Sequence, residues 1–197
     1  MTALRGGASI EDRSVSLSDD VKEGNKFIRD LKPNIFLIGN HEVRVFKIMD
    51  SPDAQKSMLA ENLWGDIMAN FKGIDCKVLP YDIKKGWVKL GKYKVGHGYC
   101  AGIGAVRKTG LMFGNSIIGH IHRPDTVQVD RYDESTAHSI GCLCDFENMD
   151  YCRTNGATLK WKRGWGYGII HDNGDVDIFH AIEHNGRISV AKNVEVL

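Results

Sequence analysis

The chain has 197 residues, 42% of them apolar and 26% charged, which is enough to bury one substantial core, so we predict a single domain over 1–197. Its 26 lysines and arginines nearly balance its 25 aspartates and glutamates, which excludes a strong overall field towards nucleic acid or anionic lipid. No apolar run approaches the roughly 20 residues that span a bilayer, and the amino terminus lacks the pattern of a secretory signal. We therefore expect a cytoplasmic protein with no membrane partner.

The amino-terminal half alternates helical and extended patterns. Asp19 and Asp20 precede apolar residues at helical spacing, which predicts a helix from about 19 to 31. The apolar run over 34–38 predicts a short buried strand, and an apolar stripe between 52 and 72 predicts a long amphipathic helix. This order of elements indicates an α/β fold.

The rest of the chain is rich in predicted strands. Its middle part has strands at 77–79, 87–90, 93–95 and 117–118, with a glycine-weakened helix at 103–113. The carboxyl third has strands at 126–129, 139–144, 157–162, 166–171 and 176–182. Asp172-Asn173-Gly174 and Asn185-Gly186 are hairpin signals of the kind that require positive φ. We predict an antiparallel sheet or meander at this end.

Five cysteines at irregular spacing predict reduced thiols in or near a sheet, and argue against a secreted disulfide framework. Cys142 and Cys144 are two residues apart and could ligate a soft metal, but no second pair of suitable spacing follows them. For these two cysteines we favour packed thiols over a metal site.

Three predicted strands each end in a histidine loop with glycines beside it. The loops are Gly39-Asn40-His41-Glu42, Gly96-His97-Gly98 and Gly119-His120-Ile121-His122. Ligands of α/β sheets gather at the carboxyl ends of strands, and rigid, partly desolvated histidines serve there as metal ligands or acid/base groups. His120 and His122 suit one ion or a close pair of ions. Together the three loops predict a metal site.

The order and context of these loops resemble the calcineurin-like metallophosphoesterase family. The first loop resembles its Gly-Asn-His-Asp/Glu motif, the second its His-Gly motif and the third its Gly-His-x-His motif. The resemblance implies an α/β sandwich of two packed mixed β-sheets flanked by helices. It also implies a phosphomonoesterase or phosphodiesterase in which a metal-activated hydroxide attacks phosphorus.

The resemblance assigns a role to each site residue. Asn40, His97 and His120 would bind one metal, and His122 would bind the other. His41 would be the catalytic acid, oriented by Glu42. The ligand atoms suit Mn²⁺ first, with Fe, Zn²⁺ or Ni²⁺ as alternatives, and one or two ions are expected. Arg107, Lys108 and Arg123 near these loops could contact a substrate phosphate, although solvated surface explains them equally well.

The chain departs from the family in one respect, because no Asp-x-His block and no Gly-Asp-x-x-Asp block stands ahead of Asn34. By family analogy these blocks supply the bridging aspartate and most ligands of the metal bound by His122. Their absence predicts an amino-terminally truncated sandwich with an unpaired sheet edge, covered by a second copy or a complementing segment. Met1 would then be an internal methionine. Asp12, Asp19 and Asp20 fit solvent-facing helix starts better than replacement ligands.

Two classes of function remain from the sequence. The first is a metal-dependent phosphoesterase, with activity impaired or lost if the missing blocks are essential. The alternative is a catalytically inactive binding protein that holds a phosphorylated ligand or a protein partner. A third reading, nucleic-acid binding by the aromatic and basic residues over 161–165, has less support than alternation within a strand. Substrate identity stays open between nucleic-acid ends, nucleotides and phosphoproteins.

Overall fold

The computed structural model describes residues 17–147, 149, 152 and 155–190. The chain divides into two compact units: the first unit comprises Met1–Gly86 with Phe146–Gly156, and the second comprises Trp87–Asp145 with Ala157–Leu197. Both contain β-strands packed with or beside helices, and the parallel and antiparallel pairings make this an α/β protein with mixed sheets. Among the described residues, none of the helices combines the length and the hydropathy that crossing a bilayer requires.

The first unit contains three helices and a two-stranded parallel sheet. In chain order its elements are α1 (Leu17–Leu31), β1 (Ile35–Leu37), α2 (Glu42–Met49), α3 (Ala54–Gly73) and β2 (Lys77–Leu79). Helix α3 begins at Asp53, whose carboxylate accepts the N–H groups of Gln55 and Lys56 and so caps the first turn. Strands β1 and β2 pair in parallel, with Phe36 opposite Val78.

The core of the first unit forms where the helices cover the sheet. Phe71 on α3 is fully buried, and its ring lies 4.5 Å from that of Phe36 on β1, measured between centroids. Val45 on α2 is also fully buried, while Phe46 packs edge-on against Trp64 at 4.8 Å. The apolar stripe predicted over 52–72 faces the core only in part, because Ile67 and Phe71 are buried whereas Met58 and Leu59 are each 59% exposed.

The second unit is built on a five-stranded mixed sheet in the order β3-β4-β5-β7-β6. Its elements are β3 (Trp87–Leu90), β4 (Tyr93–Gly96), α4 (Ala105–Phe113), β5 (Ser116–Ile118), β6 (Asp125–Gln128) and β7 (Thr136–Ser139). The three central strands β4, β5 and β7 run in parallel, and β3 and β6 pair antiparallel at the two edges. The carboxyl ends of β4, β5 and β7 therefore meet at one edge of the sheet.

Helix α4 packs closely on this sheet through Gly110. A Cβ atom at this position would lie 2.7 Å from a side-chain carbon of Val129 and 2.9 Å from the Cβ of Ala137. Thr109 beside it is buried and donates its hydroxyl to the Ala105 carbonyl at 2.8 Å. The glycine that weakens the helical pattern in the sequence is thus the point of closest helix–sheet approach.

A three-stranded antiparallel sheet completes the second unit, in the order β10-β9-β8. It consists of β8 (Gly164–Ile170), β9 (Val176–His184) and β10 (Arg187–Ile188). The turn between β9 and β10 has positive φ at both Asn185 and Gly186, while the turn between β8 and β9 has it at Gly174. The predicted hairpins at this end are confirmed.

Two predicted strands are wrong, and one helix was not predicted. The strand predicted over 139–144 ends at Ser139, because the chain leaves the sheet there and only Cys142 makes a further bridge, to Arg163. The strand predicted over 157–162 is instead a short 3₁₀ helix, Gly156–Thr158. Helix α2 was not predicted: Val43 and Val45 favour strands, yet burial of Val45 stabilises the helix.

The sequence predicted an unpaired sheet edge that a second copy or a complementing segment covers, and strand β1 is the place to look for it. Within the described ranges β1 pairs with β2 alone, and nearby apolar side chains are exposed, with Phe27 at 50%, Leu31 at 61% and Ile35 at 39%. These exposed side chains suit a covering segment or a second copy, which stays a prediction. Asp19 and Asp20 lie in the first turn of α1, as expected, whereas Asp12 lies outside the described residues.

Candidate metal centre

In the first unit, the predicted site residues lie in the turn between β1 and α2. His41 stands at the N-cap position of α2 without a side-chain cap, and its carbonyl accepts the N–H of Arg44 at 3.1 Å. Glu42 Oε2 accepts the Gly39 N–H at 2.7 Å, which closes the turn. Burial raises the pKa of Glu42, although this hydrogen bond opposes the rise. Asn40 and His41 are thus held between a strand end and a helix start.

In the second unit, two of the predicted site residues form a pair of histidines. His97 follows β4 and His120 follows β5, and because these strands are parallel neighbours their exits lie side by side. The Gly119 N–H donates to the His97 carbonyl at 3.1 Å, which continues the ladder past the strand ends. His97 Nε2 and His120 Nδ1 are 3.2 Å apart. The structure therefore brings these two histidine side chains together.

The spacing of the two ring nitrogens fits a shared ion. Two metal–nitrogen bonds of the usual length meeting at a tetrahedral angle separate the nitrogens by about 3.3 Å. The same distance fits an N–H···N hydrogen bond between neutral rings. Burial lowers the pKa of His120, so the neutral ring that ligates a metal is favoured at neutral pH.

Unusual backbone geometry brings these loops together. Gly98 has φ +108°, and a Cβ there would lie 3.0 Å from the Cβ of His120 and 3.3 Å from that of Ile118. His120 and His122 both adopt left-handed φ, at +55° and +56°. Non-glycine residues in this region carry strain that often marks a functional site.

His122 faces a different set of neighbours from His120. Its ring packs edge-on against Trp161, with centroids 4.3 Å apart. One ligand atom from each of His122, Cys142 and Cys144 lies within 4.8 Å of the other two. Burial, and then the charge on His120, lowers the pKa of His122. The hydrogen bond with Cys142, followed by burial, raises the pKa of the Cys144 thiol.

The predicted phosphate contacts already have protein partners. Arg107 forms an ion pair with Asp130. Arg123 donates to the Ile103 carbonyl at 2.6 Å and lies 3.5 Å from Asp125, with only 15% of its side chain exposed. Arg123 therefore fixes the loop before α4. Its contact with a substrate stays a prediction, as does that of Arg107.

The site residues thus fall into three groups: Asn40 with His41 and Glu42 in the first unit, the His97–His120 pair, and His122 with two cysteines. Sequence reasoning considered Cys142 and Cys144 as ligands but did not connect them with His122. What connects them is the strand order: β7 lies parallel to β5, so the end of β7 adjoins the loop that carries His122. The local sequence does not carry this information. Comparison of the chain with protein-family models, curated proteins and solved structures found no match.

Proposed function

We propose that this chain is a metal-dependent phosphoesterase of the calcineurin-like type, acting on phosphomonoesters or phosphodiesters. The 3.2 Å separation of His97 Nε2 and His120 Nδ1 at adjacent strand ends carries the proposal. The ordered motifs that begin with Gly39-Asn40-His41-Glu42 add to it. We include the two-sheet sandwich of that family in the same proposal. The mixed sheets and the helices of the chain are compatible with it.

The donor set fits a divalent transition-metal ion. The imidazole nitrogens of His97 and His120 would hold it, and such ligands suit Mn²⁺ first and Fe, Zn²⁺ or Ni²⁺ as alternatives. That Asn40 adds a third ligand is an expectation from the family resemblance alone. When bound, the ion polarises a phosphate oxygen and makes water a nucleophile at neutral pH. A second ion at His122 belongs to the same family-based expectation.

The chain's own residues supply orientation and a proton. His41 would donate its proton to the leaving-group oxygen, which converts a poor leaving group into an alcohol. The Glu42–Gly39 hydrogen bond fixes the turn that carries His41, and the Gly119–His97 bond fixes the two ligand loops. Rigid placement of this kind lowers the reorganisation needed in the transition state.

The test is hydrolysis of nitrophenyl phosphate and bis-nitrophenyl phosphate by purified protein with added Mn²⁺. His97→Ala and His120→Ala should each lower the rate by more than about 100-fold, since even groups that only orient ligands change activity by 10- to 100-fold. His41→Ala should lower kcat while leaving Mn²⁺ affinity unchanged. The matched control is His184→Ala, an exposed histidine at the end of β9 that should retain the wild-type rate.

The second candidate is an inactive binding protein derived from such an enzyme. It is favoured by the composition of the site, because within the described residues no aspartate or glutamate forms a ligand cluster with His97 and His120. Mass spectrometry under native conditions counts the ions, and a phosphate titration detects the ligand. One tightly held ion and phosphate binding without turnover would favour this candidate. Equal Mn²⁺ binding in wild type and in the two histidine variants would refute the His97–His120 metal site. Absence of both turnover and phosphate binding in wild type would refute both candidates.

A further inference from the structure

The central histidine loop has a neighbour on each side. In the sheet order β4-β5-β7 the exit of β5, which carries His120 and His122, lies between the exits of β4 and β7. The Ile140 N–H donates to the Ile118 carbonyl at 2.9 Å, so β7 continues beside β5 as the two strands end. His97 approaches from the β4 side, and the segment carrying Cys142 and Cys144 approaches from the β7 side.

One residue clamps the backbones of both segments. The Lys162 N–H donates to the His122 carbonyl at 3.0 Å, and the Lys162 carbonyl accepts the Cys142 N–H at 3.1 Å. The Gly164 N–H then donates to the Cys142 carbonyl at 2.9 Å. His122 and Cys142 are far apart in the chain, yet one short backbone stretch fixes them together. Their proximity is therefore built into the fold of the second unit.

His122 also has a polar atom that needs a partner. Its Nδ1 is buried and makes no hydrogen bond within the described part of the chain. Buried side-chain polar atoms usually have a partner, and an exception calls for an explanation such as an ion. The Trp161 ring at 4.3 Å covers the imidazole and helps to exclude water from it.

We propose that His122, Cys142 and Cys144 form a zinc-binding site. Zn²⁺ binds two thiolates and an imidazole readily, at about 2.3 Å to sulfur and 2.0–2.1 Å to nitrogen. Two such Zn–S bonds at a tetrahedral angle span about 3.8 Å. Ligand atoms that already lie within 4.8 Å of one another need to close by no more than about 1 Å. Hard cations such as Mg²⁺ and Ca²⁺ prefer oxygen and are not suited to this donor set.

Three protein ligands leave a fourth position for water or for an added ligand. On binding, each of the two thiols forms a bond to zinc and releases its proton to solvent, with no change of oxidation state. The proposal does not depend on phosphoesterase activity. It does assign His122 to the thiol site, so that the ion of the His97–His120 pair is a separate one.

The experiment is a Co²⁺ titration of the metal-free, reduced full-length chain, read by absorption. Wild type should bind Co²⁺ with a thiolate-to-cobalt charge-transfer band in the near ultraviolet, and Zn²⁺ should remove this band. Cys142→Ser and Cys144→Ser should each remove most of the band and weaken Zn²⁺ binding by more than about 100-fold. Cys100→Ser is the matched control, a half-buried thiol of the same unit, and should keep the band.

Alkylation of the wild-type cysteines keeps the test decisive if a serine variant folds poorly. In wild type, Zn²⁺ should protect Cys142 and Cys144 from alkylation while Cys76 and Cys100 still react, as mapped by peptide mass spectrometry. Equal alkylation with and without Zn²⁺, or a charge-transfer band that survives both serine substitutions, would overturn the proposal. A Cys142–Cys144 disulfide, with no cobalt band after its reduction, would also overturn it.

The same titration separates this proposal from the phosphoesterase. His97→Ala should lose Mn²⁺-dependent hydrolysis but retain the thiolate-to-cobalt band. A wild-type protein with the band and without hydrolysis contradicts only the enzymatic proposal. Hydrolysis without the band contradicts only the zinc site.

Discussion

His138 should make the stability of the second unit strongly dependent on pH. It lies on β7 within the five-stranded sheet and is only 8% exposed. Its Nδ1 is 3.0 Å from the Thr126 hydroxyl, and its Nε2 is 3.4 Å from the Tyr93 hydroxyl. Burial, and then the charge on nearby His180, lowers its pKa from 6.5 to about 4. The folded protein therefore favours the neutral ring.

The direction and size of this pH effect on the free energy of unfolding follow from the difference between the folded and unfolded pKa values of His138. Below pH 6.5 the unfolded chain binds a proton at His138 that the folded chain refuses, so acid favours unfolding. For pKa values of 6.5 and about 4, the free energy of unfolding should fall by about 2 kcal/mol from pH 7 to pH 5, and by about 3 kcal/mol at pH 4. The stability that depends on a neutral His138 ring is fully present above pH 6.5.

The assay is urea unfolding at pH 7 and pH 5, followed by tryptophan fluorescence, for wild type and His138→Gln. Glutamine keeps hydrogen-bonding groups but does not titrate, so the variant should lose about 2 kcal/mol less than wild type over this range. His184→Gln, altered on the exposed end of β9, should keep the wild-type drop. If His138→Gln and wild type lose the same free energy, the assignment of this pH dependence to His138 is wrong.

Two substitutions should destabilise the chain for different reasons. Gly98→Ala should cost about 1–3 kcal/mol in chemical unfolding and weaken Mn²⁺ binding, because it combines positive φ with a clash against His120. The control is Gly186→Ala, which has φ +75° but no atom within 4 Å of the new Cβ, so it should cost less than Gly98→Ala. Equal costs for the two substitutions would show that the clash with His120 is unimportant. Phe71→Ala should cost about 3–5 kcal/mol, measured by urea unfolding, since it leaves a cavity beside Phe36; a loss below about 1 kcal/mol would mean that the core repacks.

The elements with strong periodicity could be predicted from the sequence. The apolar stripe that became α3, and the short apolar runs that became β1 and β5, carry their own signal because burial selects their residues. The hairpin turn Asn185-Gly186 is equally local, since few residues other than asparagine and glycine adopt positive φ readily. The pattern also placed His97 and His120 each at the end of a strand, and the parallel pairing of β4 with β5 brings the two side chains together.

The wrong predictions have a common cause in tertiary context. Residues 139–144 have strand-forming character, but a strand exists only where a neighbour pairs with it, and the chain leaves the sheet after Ser139. Helix α2 shows the converse, because its valines favour strands while the buried side of the helix packs on α3. Neither the end of the strand at Ser139 nor the formation of helix α2 can be predicted from the residues of that segment alone.

His122 is the residue at which pattern and geometry assign different partners. A Gly-His-x-His motif specifies two histidines after one strand, and the family resemblance gives each of them to a metal of the same pair. The neighbours of that strand decide what each ring meets, and here His120 meets His97 while His122 meets Cys142 and Cys144. The left-handed backbone at both histidines permits this division, since an extended tripeptide would send both rings to one side. A metal bound by His122 would therefore find its other protein ligands in the two thiols beyond the exit of β7.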